Sequence, residues 1–358
     1  MEVCVTALEA KSLYKIFGAQ AEQVARRLEA GEGATSVSQA SGTTAAVIDA
    51  SFTVNSGEIF VVMGLSGSGK STLIRMLNGL HPPTAGQVLI HGQDISAMSP
   101  EDLRRTRRDH ISMVFQHFAL FPHRTVLENA AYGLKIKGMP AAERTTKARE
   151  ALDLVGLSGW GDRKPHQLSG GMQQRVGLAR ALAAQTDIML MDEAFSALDP
   201  LIRRDMQDQL IDLQRQLGKT VVFITHDLNE AMRLGDRIAM MREGRIVQLG
   251  TAQEILSHPA DEYVARFIAD VDRSRVLTAE AIMEPAGDSP HPGAAEVPST
   301  MLLADLVSHA ARSPEPLRVV HEGQLLGVIT REALLTALGH ESELSPAGPD
   351  TTVQGGPR

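Results

Sequence analysis

This chain of 358 residues has a single cysteine, Cys4, no excess of basic charge and no long apolar run. A lone cysteine excludes an intramolecular disulfide and a cysteine-built zinc site, and it suits a reducing cytoplasm. The net charge of −8 argues against a general nucleic-acid binder, which would present a basic surface, so no nucleic-acid partner is expected. No stretch approaches the roughly 18 uncharged apolar residues of a membrane-spanning helix. The opening Met1-Glu2-Val3-Cys4-Val5 has no basic region followed by an apolar one, so no signal peptide is expected. Work at a membrane would therefore go through a partner. At 43% hydrophobic the chain can bury a core, and its length suits about two domains at roughly 150 residues each.

What is present is organised around Gly64-Leu65-Ser66-Gly67-Ser68-Gly69-Lys70-Ser71-Thr72. Before it runs Glu58-Ile59-Phe60-Val61-Val62-Met63, which reads as a buried strand; after it, Leu73-Ile74-Arg75-Met76-Leu77 reads as a helix. Strand, glycine-rich turn, Gly-Lys-Ser and helix together form the context of a phosphate loop. Glycines let successive N–H groups converge on one anion, and the helix start adds unsatisfied donors. Lys70 can then reach the β- and γ-phosphates, and the Ser71 hydroxyl can ligate Mg²⁺. A nucleoside triphosphate is the expected ligand.

Along the chain, residues 5–18 read as a strand, 21–30 as a helix, and 31–45, rich in Gly, Ser, Thr and Ala, as a surface loop. Val47 to Val54 and Gln87 to Gly92 read as further strands of a small β-subdomain. Arg104-Arg105-Thr106-Arg107-Arg108 beside Glu101, Asp102 and Asp109 reads as a solvated helix face rather than a phosphate patch. Ile111 to Gln116 is a strand ending in a glutamine; residues 125–185 are helix-rich; strands and helices alternate from there to Leu249, an α/β pattern.

Two further stretches carry chemistry. Asp187-Ile188-Met189-Leu190-Met191-Asp192-Glu193 is an apolar strand ending in two acids. Asp192 suits a Mg²⁺ shell and Glu193 suits a base for the attacking water; the pair alone would equally suit a helix N-cap. Leu168-Ser169-Gly170-Gly171-Met172-Gln173-Gln174-Arg175 opens a second glycine-marked helix start, a second anion-binding end in one chain.

With Gln116, Ser196-Ala197-Leu198-Asp199 and His226 in order, the set resembles the ATPase subunits of ABC transporters over about residues 8–250. The resemblance implies a P-loop NTPase of ABC type, with a RecA-like core, a β-subdomain and a helical subdomain at about 117–186. It implies a homodimer in which each ATP lies between the Walker A loop of one copy (Gly64, Ser66, Gly67, Ser68, Gly69, Lys70, Ser71, Thr72) and the signature (Ser169, Gly170, Gly171, Gln173) of the other. Lys70, Gln116, Glu193 and His226 would be catalytic, with Glu193 the general base and His226 on the γ-phosphate. Ser71, Gln116 and Asp192 would surround Mg²⁺, and Asp199 would organise the dimer interface. An aromatic upstream of Walker A would stack on adenine, with Phe17 first and Tyr14 second.

Three longer runs, Ile59–Thr72, Met113–His123 and Met191–Arg203, narrow the resemblance to the ATPase subunit of glycine betaine/proline betaine (quaternary amine, osmoprotectant) importers. The insertion between Phe17 and Val47 also occurs in that family. Implied partners are integral-membrane permease subunits, docked near residues 117–128, and indirectly a substrate-binding protein. The implied place is the cytoplasmic face of the cell membrane, held peripherally. That family carries paired CBS modules at its C-terminus. Here 1–270 reads as the ATPase domain, 271–299 as a proline-rich linker, 300–340 as a single CBS-like α/β unit and 341–358 as a flexible tail. Two alternatives stay open: the ATPase of another ABC importer, for an amino acid or a sugar, and a soluble ABC ATPase. The second class usually has a long coiled-coil insertion or two cassettes, neither of which is present.

Overall fold

The computed structural model describes residues 5–33, 37, 42–116, 118–286 and 294–339. Parts of the expected 31–45 loop and 271–299 linker, His117 and the expected tail lie outside them. The chain divides into two units, Met1–Ile268 and Ala269–Arg358.

In the first unit, β1 (Thr6–Phe17), β2 (Thr44–Asn55), β4 (Ala85–Ile90) and β5 (Gln93–Asp94) form a sheet in the order β2-β1-β4-β5, antiparallel throughout. A second sheet has the order β10-β9-β3-β8-β7-β6. Its strands are β3 (Ile59–Met63), β6 (Ile111–Phe115), β7 (Ile188–Asp192), β8 (Thr220–Thr225), β9 (Arg237–Arg242) and β10 (Arg245–Gly250). Five of them run parallel, and only β10 is antiparallel to its neighbour. Parallel strands are covered on both faces and so read as continuous apolar runs; Ile59–Met63 is buried at every position, as is Thr220–Thr225. One core cluster joins the two sheets, with Phe52 of β2 stacked on Phe60 of β3 at 4.8 Å between ring centroids.

The insertion after Phe17 begins with a helix, Ala21–Glu29, whose Val24, Ala25 and Leu28 pack against Tyr14, Ile16 and Ile48. Val37, also buried there, comes from the stretch expected as surface loop. Helices Val126–Ala130, Tyr132–Ile136, Ala141–Leu154 and Gly170–Ala183 occupy the expected helical region. The arginine-rich helix Pro100–His110 buries none of its residues, and its charges pair locally, Arg105 with Asp102 and Arg108 with Asp109. Among the described residues no helix is long and apolar enough to cross a membrane.

The second unit differs from its expected outline. Its sheet, in the order β11-β14-β13-β12, takes β11 (Glu284–Pro285) and β12 (Glu296–Pro298) from the expected linker, besides β13 (Leu317–His321) and β14 (Gln324–Ile329). Helix Ala279–Ile282 also lies in that stretch. The prolines mislead here because both proline-bearing strands lie at sheet edges, where a missing N–H breaks no interior ladder. Val297, Leu303, Leu306, Leu317, Val319 and Ile329 form the buried interior.

Candidate active site

Strand register assembles the site. In the parallel sheet Phe115 lies opposite Asp192, Asp192 opposite Ile224, and Met63 opposite Thr225. The next residues, Gln116, Glu193, His226 and Gly64, therefore leave the sheet at one edge. That is the carboxyl edge, where open α/β sheets bind ligands.

The loop from Gly64 to Lys70 is shaped by its surroundings. Gly64 has φ 152° and Gly69 φ 105°. A Cβ on Gly64 would lie 2.2 Å from the Met241 carbonyl oxygen, and one on Gly69 2.2 Å from that of Ala46. Both positions therefore demand glycine for space as well as for φ. Lys70 opens the helix Lys70–Leu77 and is only 4% exposed. Its ammonium donates to the carbonyl oxygens of Gly64 at 2.7 Å and Leu65 at 2.9 Å. Burial draws its pKa below the usual lysine value, against the upward pull of Glu193 and Asp192. The ammonium is desolvated and turned onto the loop, so an incoming phosphate exchanges with neutral carbonyls rather than with water. Ser66 and Gly67 are exposed at the loop's tip, Ser68 is buried, and Thr72 lies half-buried in the first turn.

Ser71 Oγ lies 3.4 Å from Asp192 Oδ1. Burial raises the Asp192 carboxyl above the usual range, with Arg75 pulling it down and Glu193 pushing it further up. Glu193 follows with φ 45°, a left-handed backbone unusual for a residue other than glycine. Its N–H donates to Ile224 O at 3.0 Å, and its Oε2 lies 3.1 Å from His226 Nδ1. Such strain clusters at functional sites; here it lifts the carboxylate off the strand toward the exposed His226.

The remaining expected residues divide in two groups. Gln116 joins the cluster: its Nε2 donates to Ser196 Oγ at 3.1 Å, and that hydroxyl donates to Glu193 O at 2.9 Å. Asp199 is exposed and caps helix Pro200–Leu217 through Ile202 N. The signature residues stand apart, since no hydrogen bond or ion pair among the described residues joins Ser169, Gly170, Gly171 or Gln173 to residues 64–72. Ser169 caps helix Gly170–Ala183 by accepting from Met172 N at 3.3 Å, and Gln173 donates back to Leu168 O. Of the aromatics, Phe17 is 41% exposed, its ring edge to face with His81, whereas Tyr14 is buried at 5%. Tyr14 thus has no free face to offer a base.

The ABC transporter family model matches residues 47–196. The glycine betaine transport ATP-binding protein OpuAA of Bacillus subtilis is 58% identical over 279 residues, 78% of this chain and 67% of its own. The glycine betaine/proline betaine transport system ATP-binding protein ProV of Escherichia coli is 48% identical over 347 residues, 95% of this chain and 84% of its own. Among solved structures, the dimeric bacterial ABC transporter cassette MJ0796 is 34% identical with a TM-score of 0.58, covering 68% of this chain and 98% of that one. The chain belongs to the ATP-binding proteins of the glycine betaine/proline betaine ABC transporters. It is an ATP-hydrolysing transporter subunit.

Two ABC-site residues carry more than their motif suggested. Ser196 is the hydroxyl bridge between Gln116 and the backbone of Glu193. Arg203 donates to the carbonyls of Ser196 at 3.3 Å and Leu198 at 3.1 Å, and pairs with Asp227 beside His226. It ties the loop ending in Asp199 to the loop carrying His226. In sequence it stood only as the last residue of the run Met191–Arg203, four residues after Asp199.

Proposed function

We propose that this subunit energises import of glycine betaine or a related quaternary amine through partner membrane subunits. The observation that carries the ATPase half is the single edge holding Gly64, Gln116, Glu193 and His226, with Glu193 and His226 already 3.1 Å apart. Glu193 takes the proton of the attacking water as general base, and His226 and Lys70 hold the γ-phosphate as its charge develops. Gln116, through Ser196, reports the phosphate's presence to the segment that follows it. Phe17, 41% exposed with Lys15 Nζ over its ring at 5.3 Å, is the aromatic that stacks on adenine.

Ser71 and Asp192 place two hard oxygen donors 3.4 Å apart, and with the Gln116 amide oxygen they fit Mg²⁺, which takes oxygen ligands and keeps waters. Bound there, the ion supplies neutralisation of the β- and γ-phosphate charge. The exposed start of the signature helix, which bonds to nothing at the nucleotide loop of its own chain, supports a head-to-tail homodimer completing each site. Asp199 would then lie at that interface.

A groove of about 190 Å³ is lined by Arg108, Met113, Tyr132, Ile136, Lys137 and Arg180. Arg180 donates to the carbonyls of Phe118 and Ala119 and Tyr132 meets the Phe121 ring, which supports docking of permease subunits near residues 117–128. Ile136 is 57% exposed there. This reading places the subunit peripherally on the cytoplasmic membrane face, with a substrate-binding protein delivering the amine from the other side. We read β13, β14 and the helix Arg331–Leu338 as a single CBS-like β-β-α unit.

The substrate class rests on the names of the relatives. It is tested by ATPase activity in proteoliposomes with the cognate membrane subunits and binding protein. Stimulation by glycine betaine and not by methionine or maltose is expected. Active ATPase unmoved by any quaternary amine would discard the osmoprotectant assignment and keep the transporter ATPase.

A further inference from the structure

Away from the nucleotide edge, three side chains from three separate elements converge. His91 sits in the turn between β4 and β5, His110 ends the helix Pro100–His110, and Asp187 immediately precedes β7. Asp187 Oδ2 lies 3.1 Å from His110 Nδ1 and 3.4 Å from His91 Nε2. All three donor atoms fall within 4.8 Å of one another, and the two rings meet edge to face at 5.2 Å.

From this geometry we infer a binding site for a divalent transition metal of the zinc class, held by His91 Nε2, His110 Nδ1 and Asp187 Oδ2. The donor set is two imidazoles and one carboxylate, which suits zinc and its neighbours rather than Mg²⁺ or Ca²⁺. Ligands on a metal with bonds of about 2.0–2.1 Å stand roughly 3.3 Å apart at tetrahedral angles, the spacing seen from Asp187 to each histidine. Three protein ligands leave a fourth position for water.

The ligands are set by backbone that other bonds fix. His91 and Gly92, with φ 47° and 77°, are the central pair of a two-residue hairpin closed by Ile90 opposite Gln93. Both residues have positive φ, as a type I′ turn requires, and His91 N–H donates to Ala7 O at 2.9 Å. Asp187 O accepts from Thr220 N at 3.1 Å. The site is separate from the nucleotide edge: from Asp187 to Asp192 the strand runs five residues, about 17 Å at roughly 3.3 Å each. A metal there would clip the β4–β5 hairpin of one sheet to the start of β7 in the other.

The test uses the full chain, nucleotide-free and without a purification tag, titrated with Zn²⁺ against a chromophoric chelator and with Co²⁺ for its visible bands. One equivalent per chain is expected, with Zn²⁺ displacing Co²⁺. His91→Asn keeps the turn, since asparagine followed by glycine is the preferred type I′ pair. With His110→Gln it should weaken binding by roughly tenfold or more, while ATP binding and the melting temperature without metal stay as in the parent. Zn²⁺ should raise the melting temperature of the parent alone. Three results would each overturn the site: no saturable binding, binding indifferent to both variants, or binding abolished instead by His226→Ala.

Discussion

Two helix starts in this chain are marked by glycine, one capped by Gly69 and one opening with Gly170 and Gly171, and they are built on opposite terms. At the helix Lys70–Leu77, Gly64 and Gly69 are forced by positive φ and by carbonyls 2.2 Å from any Cβ, and Lys70 is already bonded to the loop. At the helix Gly170–Ala183 the first glycine has no such constraint. Gly170 is exposed, and a Cβ there would meet only the Phe118 ring at 3.8 Å, an ordinary contact. Gly171 is tighter, with the β-branched Ile202 placing its Cγ2 methyl 2.7 Å from any Cβ, so at that second position its own chain does favour glycine. The first site's glycines answer to their own chain. Among the described residues nothing crowds Gly170, which is in keeping with the proposed closure of a second copy on nucleotide.

The sharpest way to break this contrast is to remove the chemistry and keep the architecture. Glu193→Gln retains an oxygen for the contact with His226 and should lower ATP turnover by roughly 10²–10⁴-fold with binding intact. ATP binding should then hold two copies together, which light scattering can follow. Near-normal turnover would remove Glu193 from its role as base.

The glycines themselves come next. Gly69→Ala places a side chain at φ 105° and into the Ala46 carbonyl. Left-handed strain and overpacking together cost about 2–5 kcal/mol, read as a lowered thermal midpoint and lost ATP binding. Gly170→Ala should leave the thermal midpoint unchanged or slightly raised, because alanine is favoured over glycine inside a helix by about 0.5–1 kcal/mol. It should keep ATP binding yet lose roughly tenfold or more of the turnover, since in the proposed head-to-tail dimer the added methyl would stand where the partner's γ-phosphate approaches. Equal stability losses in the two variants would erase the distinction.

The nucleotide edge was legible because its strands are short apolar runs that end where Asp192, Glu193 and His226 gather, the residues to which the proposed chemistry falls. Gln116 was legible only through its place in the motif order, and its link to Glu193 through Ser196 needed coordinates. The insertion's helix showed its face in the spacing of Val24 and Leu28, but the burial of Val37 is a tertiary fact that a Gly/Ser-rich neighbourhood hid. The second unit misled most. Its proline-rich stretch reads as linker, yet Pro285 and Pro298 sit on edge strands, where they are tolerated. The His91, His110 and Asp187 cluster left no trace in sequence, since its members come from three distant elements.

The smallest expected effect is a pH dependence carried by a buried carboxyl in the helix Leu228–Leu234, with the signature helix as its uncharged control. Behind the nucleotide edge, Glu230 is 4% exposed, bonded to Thr225 Oγ1 and to Gln207 Nε2. Burial raises its carboxyl above 4.5, against the lowering by its hydrogen bonds to Thr225 and Gln207. Unfolding returns it to its ordinary value and so releases a proton between that value and the folded one. Stability is then fully present below the ordinary carboxylate range and falls as pH rises through the folded pKa. Glu230→Gln removes the titration while keeping groups that can bond Thr225 and Gln207. Its urea midpoint should therefore fall less than the parent's as pH rises from the ordinary carboxylate range. The first turn of the signature helix holds no acid or base, so Gln173→Ala should leave the parent's pH slope unchanged. Parallel slopes for the parent and Glu230→Gln would mean that the buried carboxyl is not what titrates behind the nucleotide edge.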